Sequence, residues 1–181
     1  MTTAEYTALL TEGKPNAKGR TDEVALYILQ NGQEELANLW PAVYDANFGI
    51  RARAAHVLEA VANQKLEWFL RYRAEILERV ALPTLDPAYN FFIPSMLGLL
   101  HWADEDVAEV VERLECWLQN IDHQFVKVFC LQSLTDITRQ QPWLKHETEE
   151  LVRQHMAKGG KAINARGRML LKTLAKIPTV N

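Results

Sequence analysis

Cysteine is scarce. Of 181 residues only Cys116 and Cys130 are thiols, and no Cys-x-x-Cys spacing joins them. A disulfide framework or thiolate metal site is therefore not expected, and both read as reduced core residues of a cytosolic protein. Long apolar runs are also missing. The longest uncharged stretch, 87–103, holds Pro87, Asn90 and Pro94 and falls short of the roughly 20 residues that cross a bilayer. The opening residues MTTAEYTALLTEGKP carry Glu5 and no basic stretch before an apolar run, so no secretion signal is expected. These absences point to a cytoplasmic, membrane-free protein.

Catalytic spacing is missing as well. Residues 157–162, AKGGKA, superficially resemble a phosphate-binding loop. They lack its first glycine, the Ser or Thr that meets magnesium, and a preceding strand; an uncapped helix start there can still hold a stray anion. The five histidines, at 56, 101, 123, 146 and 155, show no metal pattern; His146 and Glu150 share a helix face but supply two ligands where three or four are needed. No Gly-x-Ser-x-Gly surrounds Ser95 or Ser133. The acidic run Asp104, Asp106, Glu109 and Glu112 suits a helix start, where carboxylates favour the macrodipole. No enzyme activity, metal or cofactor is expected.

Charge is unevenly placed. The net charge is −3, with 20 Lys plus Arg and 23 Asp plus Glu, too acidic for a general nucleic-acid binder. The last 31 residues contain no acid and seven cations, Arg153, Lys158, Lys161, Arg166, Arg168, Lys172 and Lys176. The first 150 residues therefore carry −10 and the remainder +7. That segregation suggests an anionic partner, or complementarity within the chain, or a solvated terminal helix.

What is present in abundance is helical periodicity. Ile50, Ala54, Val57, Leu58 and Val61 form one face; Leu66, Phe69, Ile76, Leu77 and Val80 the next. Further faces follow at Phe92, Met96, Leu99 and Leu100; at Val107, Val110, Val111, Leu114 and Leu118; and at Val126, Phe129, Cys130, Leu134 and Ile137. Leu144, Leu151 and Val152 precede the last face, Ile163, Leu170, Leu171, Leu174 and Ile177. Thr21 reads as an N-cap, Asn31-Gly32 as a stop, Pro41 as a break, and Asn63-Gln64 as a tight link. A break over 82–90 ends in a candidate Asn90 cap; Pro142 suits a first helical turn, and Gly159-Gly160 ends a helix. Residues 1–20 read as a short helix and linker, 21–181 as a single domain.

The faces repeat. IRARAAHVLEAV (50–61) aligns without gaps on VKVFCLQSLTDI (126–137), and NARGRMLLKTL from Asn164 follows with a shift of one. The anchors Leu58, Leu99, Leu134 and Leu171 recur every 35 to 41 residues, with one further amphipathic helix between them. The unit is an antiparallel helix pair that cannot bury both sides of its apolar stripe alone, so neighbours must stack. Asp45, Arg51, Ala54-Ala55 and Leu58 carry a resemblance to the HEAT-repeat family over about residues 21–177. In that family an Asp in the inter-helix turn and a basic residue at the next helix start form a ladder, which implies Asp45 with Arg51, and Asp122 with Lys127 at a spacing one residue shorter. The resemblance implies an all-α fold, a right-handed alpha-alpha superhelix (a HEAT-like α-solenoid) of about four helix pairs plus a final helix. It is most similar to small stand-alone bacterial HEAT-like proteins that end in a short basic helix.

Three functions compete. The leading expectation is a non-enzymatic protein-binding or scaffold module using the concave or edge surface of the solenoid. Its candidate residues are Trp68, Arg71 and Tyr72, of the types that dominate interface energetics, and Arg166 and Arg168 on the basic terminus. Filling gaps between helix pairs is the alternative role for Trp68 and Trp117. The second expectation is a DNA-binding protein, since some bacterial alkylpurine DNA glycosylases are similar, built of HEAT-like pairs around a cationic, Trp-lined groove. This chain is shorter and net acidic, with its cations at one end. The third is self-association through a cap at the first pair or the last helix.

Overall fold

The computed structural model describes residues 1–12, 17–80 and 92–179, without the side chains of Arg79 and Val80. Among the described residues there is no strand; ten α-helices and three 3-10 segments make the fold all-α. The expected break at 82–90, with its Asn90 cap, and part of the 13–20 link lie outside the described residues. Contacts divide the chain into two compact units, one built on Met1–Ala74, the other on Ile93–Asn181 together with Glu75 and the residues of its helix that follow.

The first unit comprises α1 (Thr3–Thr11), α2 (Thr21–Asn31), α3 (Glu34–Leu39), a 3-10 segment (Trp40–Tyr44), α4 (Phe48–Ala62) and a second 3-10 segment (Leu66–Tyr72). Helix α4 is its hub, packing against α1, α2 and both 3-10 segments. The predicted face of Ile50, Ala54, Val57, Leu58 and Val61 is buried, and so is Arg53. That guanidinium is not stranded, because Nη1 donates to the Leu10 carbonyl at 2.6 Å and Nε to the Ala17 carbonyl at 3.0 Å. Arg53 thus fastens α1 and the chain after it to the hub. Tyr6 and Leu10 of α1 are fully buried, so the helix expected to stand apart with its linker contributes to this core. A capping box starts α1, with the Thr2 hydroxyl and Glu5 carboxylate satisfying each other's backbone N–H. Helix α2 begins one residue earlier than a Thr21 N-cap requires: Arg20 holds the cap position, and the buried Thr21 hydroxyl has no partner. It ends as predicted at Gly32, whose φ of 103° is a conformation L side chains avoid. Pro41 sits in the first turn of the 3-10 segment and α3 stops at Leu39, as a missing N–H dictates.

The second unit holds α6 (Phe92–Leu99) from Ile93 onward, α7 (Asp104–Asn120), α8 (Gln124–Gln140), a 3-10 turn (Pro142–Leu144), α9 (Lys145–Lys158) and α10 (Lys161–Leu174), besides most of α5 (Arg73–Val80). Three residues join α7 to α8 and two, Gly159 and Gly160, join α9 to α10. Links this short turn successive helices back on each other. Helix α8 is the hub, packed against α7, α9 and α10. Besides Val126, Cys130, Leu134 and Ile137 it buries three hydroxyls. Thr135 and Thr138 donate to carbonyls one turn back in their own helix, and Ser133 donates to the Pro94 carbonyl of α6. Burying these hydroxyls is tolerable only because each has an acceptor.

Ser133 reaches α6 because residue 98 has no side chain. A Cβ on Gly98 would lie 2.6 Å from the Ser133 Cα, a backbone atom that cannot step aside. Alanine at an ordinary helix-interior glycine stabilises by about 1 kcal/mol. Gly98→Ala should reverse that sign, because overpacking costs about 1–3 kcal/mol, and urea unfolding should report a net loss. Gly167→Ala is the control. Its nearest neighbours are Sδ and Cγ of the unbranched, flexible Met156 side chain, which can swing aside where a backbone atom cannot, so it should be near neutral or stabilising.

Candidate functional site

The 3-10 geometry of 66–72 rearranges the aromatic cluster expected from the sequence. With three residues per turn, side chains at i and i+3 eclipse. Leu66, Phe69 and Tyr72 therefore share one side, and Lys65, Trp68 and Arg71 another. An α-helical spacing would have put Trp68 and Tyr72 together; the structure separates them. Phe69 is fully buried. Tyr72 lies flat on Trp40, with ring centroids 3.8 Å apart and an interplanar angle of 14°. The Trp40 indole N–H donates to the Tyr44 hydroxyl at 3.2 Å. Tyr72 is thus an outer layer of the first unit's core, and Trp40 is its partner, which sequence spacing did not suggest. Arg71 covers it from outside, Cζ 4.9 Å from the ring centroid and Nη2 donating to the Tyr72 hydroxyl at 2.9 Å. Trp68 is half-buried and carries the Lys65 ammonium 5.9 Å from its ring. The outward surface here is one indole flanked by two cations.

The two arginines of the basic end also part company. Arg166 is half-buried on α10, with an Nε that is shielded from water and has no partner. Arg168, 200° further round the helix, is exposed. It shares its face with Lys161 and Lys172, at spacings of seven and four, and Lys176 follows beyond the helix end. The opposite stripe, Ile163, Gly167, Leu170 and Leu174, is buried. None of Lys161, Arg168, Lys172 and Lys176 has an acidic partner among the described residues; the basic segment's single ion pair there is Arg153 with Glu149, one turn apart on α9. Among the described residues, then, complementarity within the chain does not neutralise the row.

The residues expected to form a ladder lie at helix starts. Asp45 turns the chain, its carboxylate accepting from the Asn47 N–H at 2.8 Å. Arg51 reaches back from α4 to the main-chain carbonyls of Asp45, at 2.6 Å, and Ala46, at 2.9 Å. Lys127 pairs directly with Asp122 at 3.3 Å. Each of these bonds closes a turn against the helix that follows it.

Two clefts open in the second unit. One, about 330 Å³, is lined by Pro142, Trp143, Lys145, His146, Glu149 and Thr179. Its Trp143 is 57% exposed and was not singled out from sequence, since an indole beside a helix-start proline reads equally as core. Lys145 is committed, donating to the Ile177 carbonyl at 2.6 Å. The other cleft, about 100 Å³, lies where α10 begins, among Asp122, Gln124, Lys127, His155, Lys158 and the two glycines. No side chain caps α10, so its leading N–H groups lack a capping side-chain acceptor. Among the described residues no group of three His, Cys, Asp or Glu side chains is placed to hold a metal ion, and no helix is long and apolar enough to cross a membrane. Burial pushes the Cys130 thiol far above its ordinary range, which makes it unreactive.

His155 reports the field in the smaller cleft. Burial holds its pKa below the ordinary 6.5, and Lys127 and Lys158 lower it further. An NMR titration should place its midpoint under 6.5, and Lys127→Met should move it upward by removing a like charge and freeing Asp122. As pH falls below 6.5 the unfolded chain takes the proton first, so His155 should subtract from stability on the acid side.

Comparison with protein-family models, with curated proteins and with solved structures found no match to this chain.

Proposed function

We propose that the chain is a non-enzymatic docking module for protein partners, assembled from HEAT-like helix pairs. The reading is supported by the succession α7–α8 and α9–α10, with α10 packed on α8 as stacked pairs require. The observation that carries it is the row Lys161, Arg168, Lys172 and Lys176, exposed and without an acidic partner among the described residues. Four cations along one face, with Met169 beside them at 59% exposure, suit an acidic protein surface with an apolar spot. The half-buried Trp68, between Lys65 and Arg71, offers a second contact of similar character on the first unit.

Charge reversal tests this. Full-length protein cross-linked in an extract of its source cells should recover specific partners. Arg168→Glu/Lys172→Glu should lower that recovery at least tenfold, while Lys18→Glu, a cation already paired with Asp22, should not. Equal recovery by wild type and the double variant would contradict the proposal, as would none above background. Binding of a DNA duplex at 50 mM salt, falling steeply as salt rises, would shift the function to nucleic acid.

A further inference from the structure

We infer that the cation row on α10 docks on the acidic outer face of α7 in a second copy of this chain, through two different surfaces. The inference rests on reading α10 as a docking face and identifies what it meets. Helix α7 exposes Asp104, Glu105, Glu109 and Glu112, with Ala108 between them. Among these, Glu109 alone has a cationic neighbour, Arg113 one turn along the same helix. Asp104 also accepts from the Gln141 amide at 2.8 Å. Glu105 and Glu112 have no hydrogen-bond or ion-pair partner among the described residues.

The two faces match in extent and sign. At 1.5 Å per residue, the acids from Asp104 to Glu112 span about 12 Å and the cations from Lys161 to Lys172 about 16 Å. Each row borders small or apolar positions, Ala108 and the exposed Cys116 on α7, Ala165 and the exposed Met169 on α10. Within one chain the rows cannot neutralise each other. Both helices turn their apolar sides to α8, and α7 and α10 share no substantial packing. Acid crowding from α9 and α7 together is felt at Glu115 on α7. Its carboxyl is pushed above the ordinary range by burial first, then by Glu147 and Glu112. A cationic surface arriving from outside relieves that repulsion. A phosphate backbone meets the opposite situation, since the first 150 residues carry −10 and repel it. Because the joined surfaces differ, each dimer keeps one free face of each sign, and association continues into short oligomers.

Sedimentation velocity on the full chain, from 20 to 500 µM, tests the pairing. At 50 mM NaCl the weight-average sedimentation coefficient should rise with concentration, and at 400 mM the rise should vanish, because exposed charges are screened within about 5 Å there. Arg168→Glu/Lys172→Glu and Glu109→Lys/Glu112→Lys should each weaken self-association at least tenfold, with unchanged circular dichroism. An equimolar mixture of the two variants should associate again, since each then offers a face that the other complements. A monomer at every concentration and salt overturns the inference, as do association indifferent to both double variants and failure of the mixture to recover. If the protein stays monomeric while the α10 variant still loses its captured partners, self-pairing fails and the docking-face reading survives; if neither result depends on α10, both fail.

Discussion

Helix α10 has one apolar stripe, and the geometry of the second unit follows from where that stripe goes. Ile163, Leu170 and Leu174 cover α8 and α9, so the residues about half a turn away must meet water. Those residues are Lys161, Arg168 and Lys172. Burial of a single Leu or Ile is worth roughly 1.5–3 kcal/mol, whereas an exposed ion pair is worth about 0–1 kcal/mol. Helix orientation is therefore decided by the leucines, and the charges take the place left to them. The acids of α7 reach solvent by the same rule, because Val107, Val110, Leu114 and Leu118 are buried. Opposite charges end up on separate helices as a consequence of two apolar stripes converging on one hub.

That hub tolerates polar groups because its neighbours are close. The Thr138 hydroxyl bonds both its own helix and Thr148 of α9, at 2.8 Å each. Ser133 meets α6 across Gly98. In the first unit Arg53 plays the corresponding part from α4, a buried cation bonded to carbonyls on two other segments. Removing such a partner leaves a buried charge or dipole unmatched, which costs far more than the bond itself contributes. These polar bonds fix which helix faces meet, while the apolar residues supply the bulk of the stabilisation.

Much of this was legible in the sequence. Period-3.6 apolar faces gave α4, α7, α8 and α10 with most of their buried residues, although Val111, Phe129 and Leu171 are only half-buried, and Gly32, Pro41, Pro142 and Gly159-Gly160 marked real ends. The aromatic site was less legible, because spacing arguments assume α geometry. Leu66 to Tyr72 winds as a 3-10 segment, so Tyr72 turned inward to Trp40 while Trp68 kept company with Lys65. Arg166 and Arg168 were grouped by proximity along the chain, yet two residues on a helix point to nearly opposite sides. The part of Arg53 in the first unit was hidden for a different reason. Its acceptors are main-chain carbonyls at Leu10 and Ala17, which no side-chain pattern announces.

The account stands on α10 presenting its cations to solvent with no acid among the described residues against them. Lysine acetylation of dilute native protein at high salt, read residue by residue, tests that most directly. Lys161, Lys172 and Lys176 should react at the rate of free surface amines. Lys127, paired with Asp122, and Lys145, bonded to the Ile177 carbonyl, should lag severalfold. Protection of Lys161 and Lys172 equal to that of Lys127 would mean the row is occupied from within the chain, and would contradict the account.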